Sequence, residues 1–188
     1  MGSGVIHMFR IPVRRSLLLV SVLALLFSVR EAVAVEARQA GLPGAPAFSA
    51  TGIDGKTVSS RQLAGKAYIV NFFASWCPPC RAEIPDMVAL QKAYKVKGFT
   101  FIGVAMSDEE NTVRSFMKSS GINYPVLMGN QQIVSSFGRY VEGGMRSIPT
   151  TFVVNRSGQI TQVISGARGK AVFEKIILDA LTPAKPAR

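Results

Sequence analysis

The chain has 188 residues, 22 Lys/Arg against 11 Asp/Glu, two cysteines and one histidine, for a net charge of +11. The cysteines supply half of a zinc site at most, because two further Cys or His ligands are needed and the only histidine is His7, far N-terminal to them. The bases (Arg38, Lys56, Arg81, Lys92, Lys95, Lys97, Arg114, Arg139, Arg146, Arg168, Lys175) are spread without an aromatic-interleaved cluster, so they read mainly as a solvated surface suited to anionic membrane faces or acidic partners, and nucleic acid is not expected.

Residues 1–34 have the order of an export signal. Arg10, Arg14 and Arg15 form a positive start, Ser16 to Val29 is apolar almost throughout, and Ala32-Val33-Ala34 fits a small-x-small cleavage site. The run falls short of the about 20 residues of a membrane span, so cleavage is expected. Arg30 and Glu31, unusual beside a cleavage site, keep open retention as a membrane tether through residues 16–29. No cysteine follows the run, which excludes a bacterial lipid anchor, and Arg14-Arg15 gives a weaker twin-arginine reading. Cleavage after Ala34 would leave 154 residues with 18 Lys/Arg and 10 Asp/Glu, enough for one domain with a core. Residues 35–44 lack an apolar period and read as a flexible tether, residues 45–182 as the folded domain, and residues 183–188 as a disordered Pro/Lys tail.

Within the domain, Ala45-Pro46-Ala47-Phe48 is expected as a short strand that turns at Ile53-Asp54-Gly55-Lys56 into a second strand near Thr57-Val58. Ser60 to Leu63 is a helical turn closed by Gly65. Ala67 to Phe73 is apolar on both faces except for Asn71 and predicts a central buried strand. A long helix from Cys80 to about Lys97 carries Ile84, Met87, Val88, Leu90 and Tyr94 on its apolar side, with a kink at Pro85. Phe99 to Ala105 is a second buried strand; Asp108 or Glu109 opens a helix through Ser119 that stops at Gly121; Tyr124 to Met128 is a short strand. A helix over Gln131 to Phe137 leads into the Gly-rich Val141–Met145 loop. Thr150 to Val154 and Gln159 to Ser165 are strands around the Asn155–Gly158 turn, and Lys170 to Leu181 is the closing helix. The order predicts an α/β fold with a mixed central sheet.

The chemistry concentrates in Trp76-Cys77-Pro78-Pro79-Cys80. Cysteines two residues apart, after an apolar strand and at the start of a helix, can close a small disulfide ring and reopen it by exchange with another protein. At the helix N-terminus, unpaired N–H groups and the macrodipole favour a thiolate, so Cys77 is expected to be the exposed, acidic nucleophile. Cys80, one turn further in, can attack the mixed disulfide and release the partner. Pro78 and Pro79 remove N–H groups that lack helical partners at this position anyway, and their fixed φ suits the first turn. A static structural disulfide is the plainer alternative, but so short a loop constrains the unfolded chain little.

Trp76-Cys77-Pro78-Pro79-Cys80-Arg81 with Glu83-Ile84-Pro85, and Ser147-Ile148-Pro149-Thr150-Thr151-Phe152 some seventy residues later, resemble the TlpA/ResA-type branch of the thioredoxin superfamily. The likeness runs from Ala45 through Gly166 and includes the Asp108–Leu127 insertion. It implies a thioredoxin-like fold with an N-terminal β-hairpin and an αβ insertion. It implies an exported or membrane-tethered, periplasmic oxidoreductase without a cofactor. Such an enzyme reduces disulfides in exported proteins, for cytochrome c maturation or copper-site assembly, and is recharged by a membrane thiol-reducing partner. Carried over by residue, Pro149 matches a cis-proline lying against the cysteines, and Ile148 then presents backbone groups to a substrate peptide. Glu83 matches a glutamate that can take the proton of Cys80, its plainer role being a solvated helix charge. Asn71 stands where thioredoxin has a buried acid and cannot shuttle a proton. Trp76 shields the disulfide and, with Pro78 and Pro79, offers docking surface. The 139–146 segment is longer than in most relatives and either shapes partner choice or is a neutral insertion.

Two other functions compete. The same thiolates could hold Cu(I) as a metallochaperone, assisted by Met145 or another Met, although no histidine follows the leader. A peroxidase would carry Pro-x-x-x-Thr-x-x-Cys, and Ala74 stands where the threonine belongs.

Overall fold

The computed structural model describes residues 43–182; the export segment, residues 35–42 of the expected tether and the tail lie outside the described residues. The hairpin forms from β1 (Ser49–Thr51) and β2 (Thr57–Ser59), paired antiparallel around a turn with Gly55 at φ 80°. The first strand thus starts later than expected. Pro46 has no N–H for a ladder, and Phe48 instead exchanges backbone bonds with Ser60, its N–H meeting the Ser60 hydroxyl at 3.2 Å and its carbonyl the Ser60 N–H at 3.0 Å. Upstream, Ala45 N–H donates to the Gly158 carbonyl and Ile160 N–H to the Pro43 carbonyl, so Pro43 and Gly44, the last residues expected in the tether, lie against a neighbouring strand.

Ser60–Leu63 is a 3₁₀ turn capped by Ser59 and Gln62 in a reciprocal box, and Gly65 follows at φ 75°. β3 (Ala67–Phe73) is buried at every position, as its sequence predicts. α1 (Pro78–Tyr94) begins with Cys77 as N-cap and both prolines in the first turn, two residues earlier than expected, because proline is tolerated where helical N–H groups have no acceptor. It continues through the exposed Pro85 and gives way at Lys95–Lys97 to a 3₁₀ turn. β4 (Phe99–Ala105) follows, then α2 (Glu110–Ser119), β5 (Val126–Met128), α3 (Gln131–Gly138), β6 (Thr150–Val154), β7 (Ile160–Ser165) and α4 (Lys170–Leu181). β5 is shorter than expected, since Pro125 can only accept, which it does from Gly103 N–H at 2.9 Å.

The main sheet has five strands in the order β5-β4-β3-β6-β7, with β3, β4 and β5 parallel, β6 antiparallel to β3, and β7 antiparallel to β6. Alternation along β3 decides what each face holds. Ile69 and Phe73 join Ile84, Met87 and Leu90 of α1, Val113 and Phe116 of α2 and Phe173 and Ile177 of α4 on one face, together with both cysteines. Tyr68, Val70 and Phe72 join Phe48, Val58, Ile133 and Phe137 on the other. There Phe137 packs edge-on to Phe72 and Phe152, ring centroids 5.5 and 5.0 Å away, which seats α3.

Not all the bases are solvated as expected. Arg156 reaches three carbonyls, of Leu181 (3.0 Å), Gly65 (3.1 Å) and Lys97 (2.7 Å), and joins the end of α4 to the lead-ins of β3 and β4. The 139–146 segment is also anchored: Tyr140, Val141 and Met145 pack against the second apolar cluster, and the Tyr140 hydroxyl donates to the Gly44 carbonyl at 2.8 Å. Among the described residues no helix is long and apolar enough to cross a membrane.

Candidate active site

Cys77 and Cys80 are joined as a disulfide at the N-terminus of α1, their Cα atoms 5.3 Å apart. The Cys77 sulfur caps the helix, accepting from the Cys80 N–H at 3.4 Å. An N–H that meets a neutral sulfur here would meet a thiolate after reduction, which with the helix dipole is the arrangement that lowers a thiol pKa. One expectation needs correction. In this oxidised state Cys77 is only 3% exposed, not open to solvent, because it is packed in the apolar cluster with its sulfur 4.0 Å from the Ile148 carbonyl oxygen. Cys80 is fully buried. The exposed group beside them is Trp76, at 60%.

The Ile148–Pro149 bond is cis, and β6 follows directly. The Ile148 carbonyl lies beside Cys77 across 71 residues of sequence. Pro78 and Pro79 occupy the first turn of α1 and are exposed at its rim.

Glu83 is not a solvated helix charge. It lies on the inner side of α1, 3% exposed, where Asn71 Nδ2 donates to one carboxylate oxygen at 2.8 Å and the Arg168 backbone N–H to the other at 3.1 Å. Burial pushes the Glu83 carboxyl above its usual range, and the two donors and the Arg168 charge pull it back only in part. Asn71 shares the β3 parity of Ile69 and Phe73, so its amide faces α1, and it also donates to the hydroxyl of its cross-strand partner Thr151 at 3.0 Å. The phenol of Tyr124 is pushed up by burial and by the Glu83 charge. The sequence had named Asn71 only as an amide where an acid is usual; its parity with Ile69 and Phe73 was the signal that it meets α1. Nothing in the sequence pointed to Thr151 as the partner of Asn71, or to Arg168 and Tyr124 as the groups that feel Glu83, since these relations cross between distant segments.

Of the two expected helix starts, Glu109 is the N-cap and Asp108 serves otherwise. Both its oxygens lie 2.7 Å from Ser75, one accepting the backbone N–H and one the hydroxyl, and α2 opens at Glu110 without a side-chain cap. Ser75 was not singled out from the sequence.

Met145, expected as a helper in copper binding, belongs to the apolar cluster on the opposite sheet face from the cysteines. Among the described residues no group of three or more His, Cys, Asp or Glu side chains is placed to hold a metal.

Dithiol chemistry requires two sulfurs within bonding reach, and a helix N-terminus at one of them favours its thiolate; the site contains both. The comparisons agree with it. A family model described as Redoxin matches residues 39–178. The thiol-disulfide oxidoreductase ResA of Bacillus subtilis (strain 168) is 31% identical over 180 residues, 94% of this chain and 94% of its own. ResA of Bacillus anthracis is 31% identical over 140 residues, covering 74% of this chain and 77% of its own. Of the solved structures, a thiol:disulfide interchange protein of the thioredoxin family from Chlorobium tepidum TLS is 50% identical with a TM-score of 0.74, over 75% of this chain and 97% of its own. A putative thiol:disulfide interchange protein DsbE from Chlorobium tepidum is 29% identical with a TM-score of 0.65, over the same shares. The chain belongs to the Redoxin family and is a thiol-disulfide oxidoreductase with a thioredoxin-like fold.

Proposed function

We propose that this oxidoreductase works on the outer side of the cytoplasmic membrane, in the periplasm of a bacterium, where it reduces disulfides in exported proteins. Cytochrome c maturation or copper-site assembly is the setting that the family resemblance implies. The observation that carries this reading is the Cys77–Cys80 pair set across the first turn of α1, with the Cys77 sulfur on the Cys80 N–H.

In the reduced enzyme the Cys77 thiolate attacks one sulfur of a substrate disulfide, forming a mixed disulfide and expelling the other substrate sulfur as a thiolate. Cys80 then gives up its proton and attacks the Cys77 sulfur. The Cys77–Cys80 disulfide forms, the second substrate sulfur leaves, and two electrons have passed from enzyme to substrate. Glu83, three residues beyond Cys80 on the same helix, receives that proton; a carboxyl raised by burial lies nearer to a thiol in basicity, so the transfer is less uphill. Ile148 and Pro149 offer backbone to the substrate strand beside Cys77, while Trp76, Pro78 and Pro79 form the exposed rim. A membrane dithiol partner restores the reduced state. Export rests on the charge-then-apolar order of residues 10–29.

The experiment is Cys80→Ser expressed in intact cells. Without the resolving thiol, the mixed disulfide at Cys77 should accumulate, and the captured proteins should be exported ones. Capture by Cys77→Ser in its place would reverse the two roles, and capture of cytoplasmic proteins alone would overturn the location.

A further inference from the structure

The residues immediately ahead of Cys77 are held from one side by the connection between β4 and α2. Ser75 is bonded twice to Asp108, through its N–H and its hydroxyl, both at 2.7 Å. The Trp76 indole N–H donates to the Ser107 carbonyl at 3.3 Å. Ser107 sits at φ 55°, in the left-handed region that a non-glycine residue occupies only where its surroundings fix it. From the other side Arg81 donates to the Ser75 carbonyl at 2.9 Å, with its guanidinium over the Phe116 ring of α2 at 5.0 Å. Ser75 is nearly buried, yet Trp76 stays 60% exposed. The bonds hold a large aromatic ring outward beside the redox pair instead of packing it inward, which is what an anchor serving stability alone would do.

We propose that Asp108 is a positioning residue for disulfide exchange: it fixes Ser75, and together with the Ser107 carbonyl it sets where the Trp76 indole stands as the platform on which a disulfide-bearing peptide docks. The inference rests on the reading of Cys77 as the sulfur that engages substrate. The carboxylate is suited to the task because it has two acceptor oxygens, one for each Ser75 donor. Its effect falls on docking, not on proton movement at Cys80, which the Glu83 cluster governs.

The test compares Asp108→Ala, Ser75→Ala and Glu110→Gln in the full chain. Glu110 is the control, an exposed acid at the start of α2 that pairs with Arg114 and not with Ser75. Trp76 is the only tryptophan, so acrylamide quenching of intrinsic fluorescence reports its freedom directly. A synthetic peptide closed by one disulfide serves as substrate. In Asp108→Ala, quenching should increase and KM should rise about five-fold, with the loss in kcat/KM carried by KM. Ser75→Ala, which keeps the backbone bond to Asp108, should show the same changes at about half the size on a logarithmic scale and guards against a variant that fails to fold. Glu110→Gln should match the parent. Parental quenching and KM in folded Asp108→Ala or Ser75→Ala would overturn the proposal, as would a fall in kcat with KM unmoved, or the same changes in Glu110→Gln. Exchange that persists in Cys77→Ser would instead overturn the reading beneath it, whatever Asp108 does.

Discussion

At Glu83 a single side chain meets opposed demands. Its burial penalises the ionised carboxylate, while donors from Asn71 and the Arg168 backbone favour it, and burial dominates. The consequence for stability has a definite sign. Because the folded pKa lies above the unfolded one, the native state binds the proton more tightly, so stability falls as pH rises from the unfolded pKa through the folded one. Glu83→Gln should flatten that part of the profile in urea unfolding, on the alkaline side of about pH 4. It should also lower stability at the acid end, since the new amide cannot accept from both donors. A slope equal to the parent's would mean that Glu83 does not titrate differently on folding. That Glu83 shares a helix with Cys80 was legible from their three-residue spacing. Its burial was not, because an acid near the start of a helix is equally at home in water, and the donors that meet it, Asn71 and the Arg168 N–H, come from distant segments.

Among the elements, the two central strands β3 and β4 and the closing helix were legible to the residue, since long apolar runs and a complete amphipathic period leave few choices. The short strands were not. β1 and β5 are three residues each, and their limits are set by prolines and by partners elsewhere: Gly52 bridges Leu127, and Ile53 N–H donates to the Val126 carbonyl at 2.8 Å. One polar residue shows how such a short strand is tolerated. β5 pairs with β4 only from Gly103 onward, and the earlier Phe101 N–H is taken by the side-chain oxygen of Gln91, a buried residue of α1, at 2.8 Å. Its amide nitrogen lies 3.3 Å from the Thr100 hydroxyl. Gln91→Ala should therefore cost about 2 to 3 kcal/mol, because it leaves a buried donor unpaired and a cavity beside it. Urea unfolding at constant m-value measures this, and a loss near zero would mean that water replaces the amide.

For the whole molecule, the basic surface expected from the sequence is tied in part to the backbone, several of its arginines bonding carbonyls. Arg81 and Arg168 bond to backbone near the redox pair, and Arg156 holds three carbonyls at the opposite ends of β3 and β4. None of this shows in composition, because an arginine that serves neighbouring carbonyls and one that faces water read alike in a chain. Arg156→Ala should lower stability by about 1 to 2 kcal/mol, with Cys77 alkylation rates in the reduced protein unchanged. Altered alkylation would mean that the two ends of the sheet communicate. The Arg156 contacts also bear on how the domain opens. The final carbonyl of α4 shares its cation with carbonyls that lie 91 and 59 residues from Arg156 in sequence, so fraying of the last turn gives up a contact held in common with the approaches to both central strands. Native-state hydrogen exchange should accordingly find the end of α4 opening only with the sheet, as one cooperative unit. Without Arg156 the helix end should become a separate unit of lower free energy, exchanging long before the strands do.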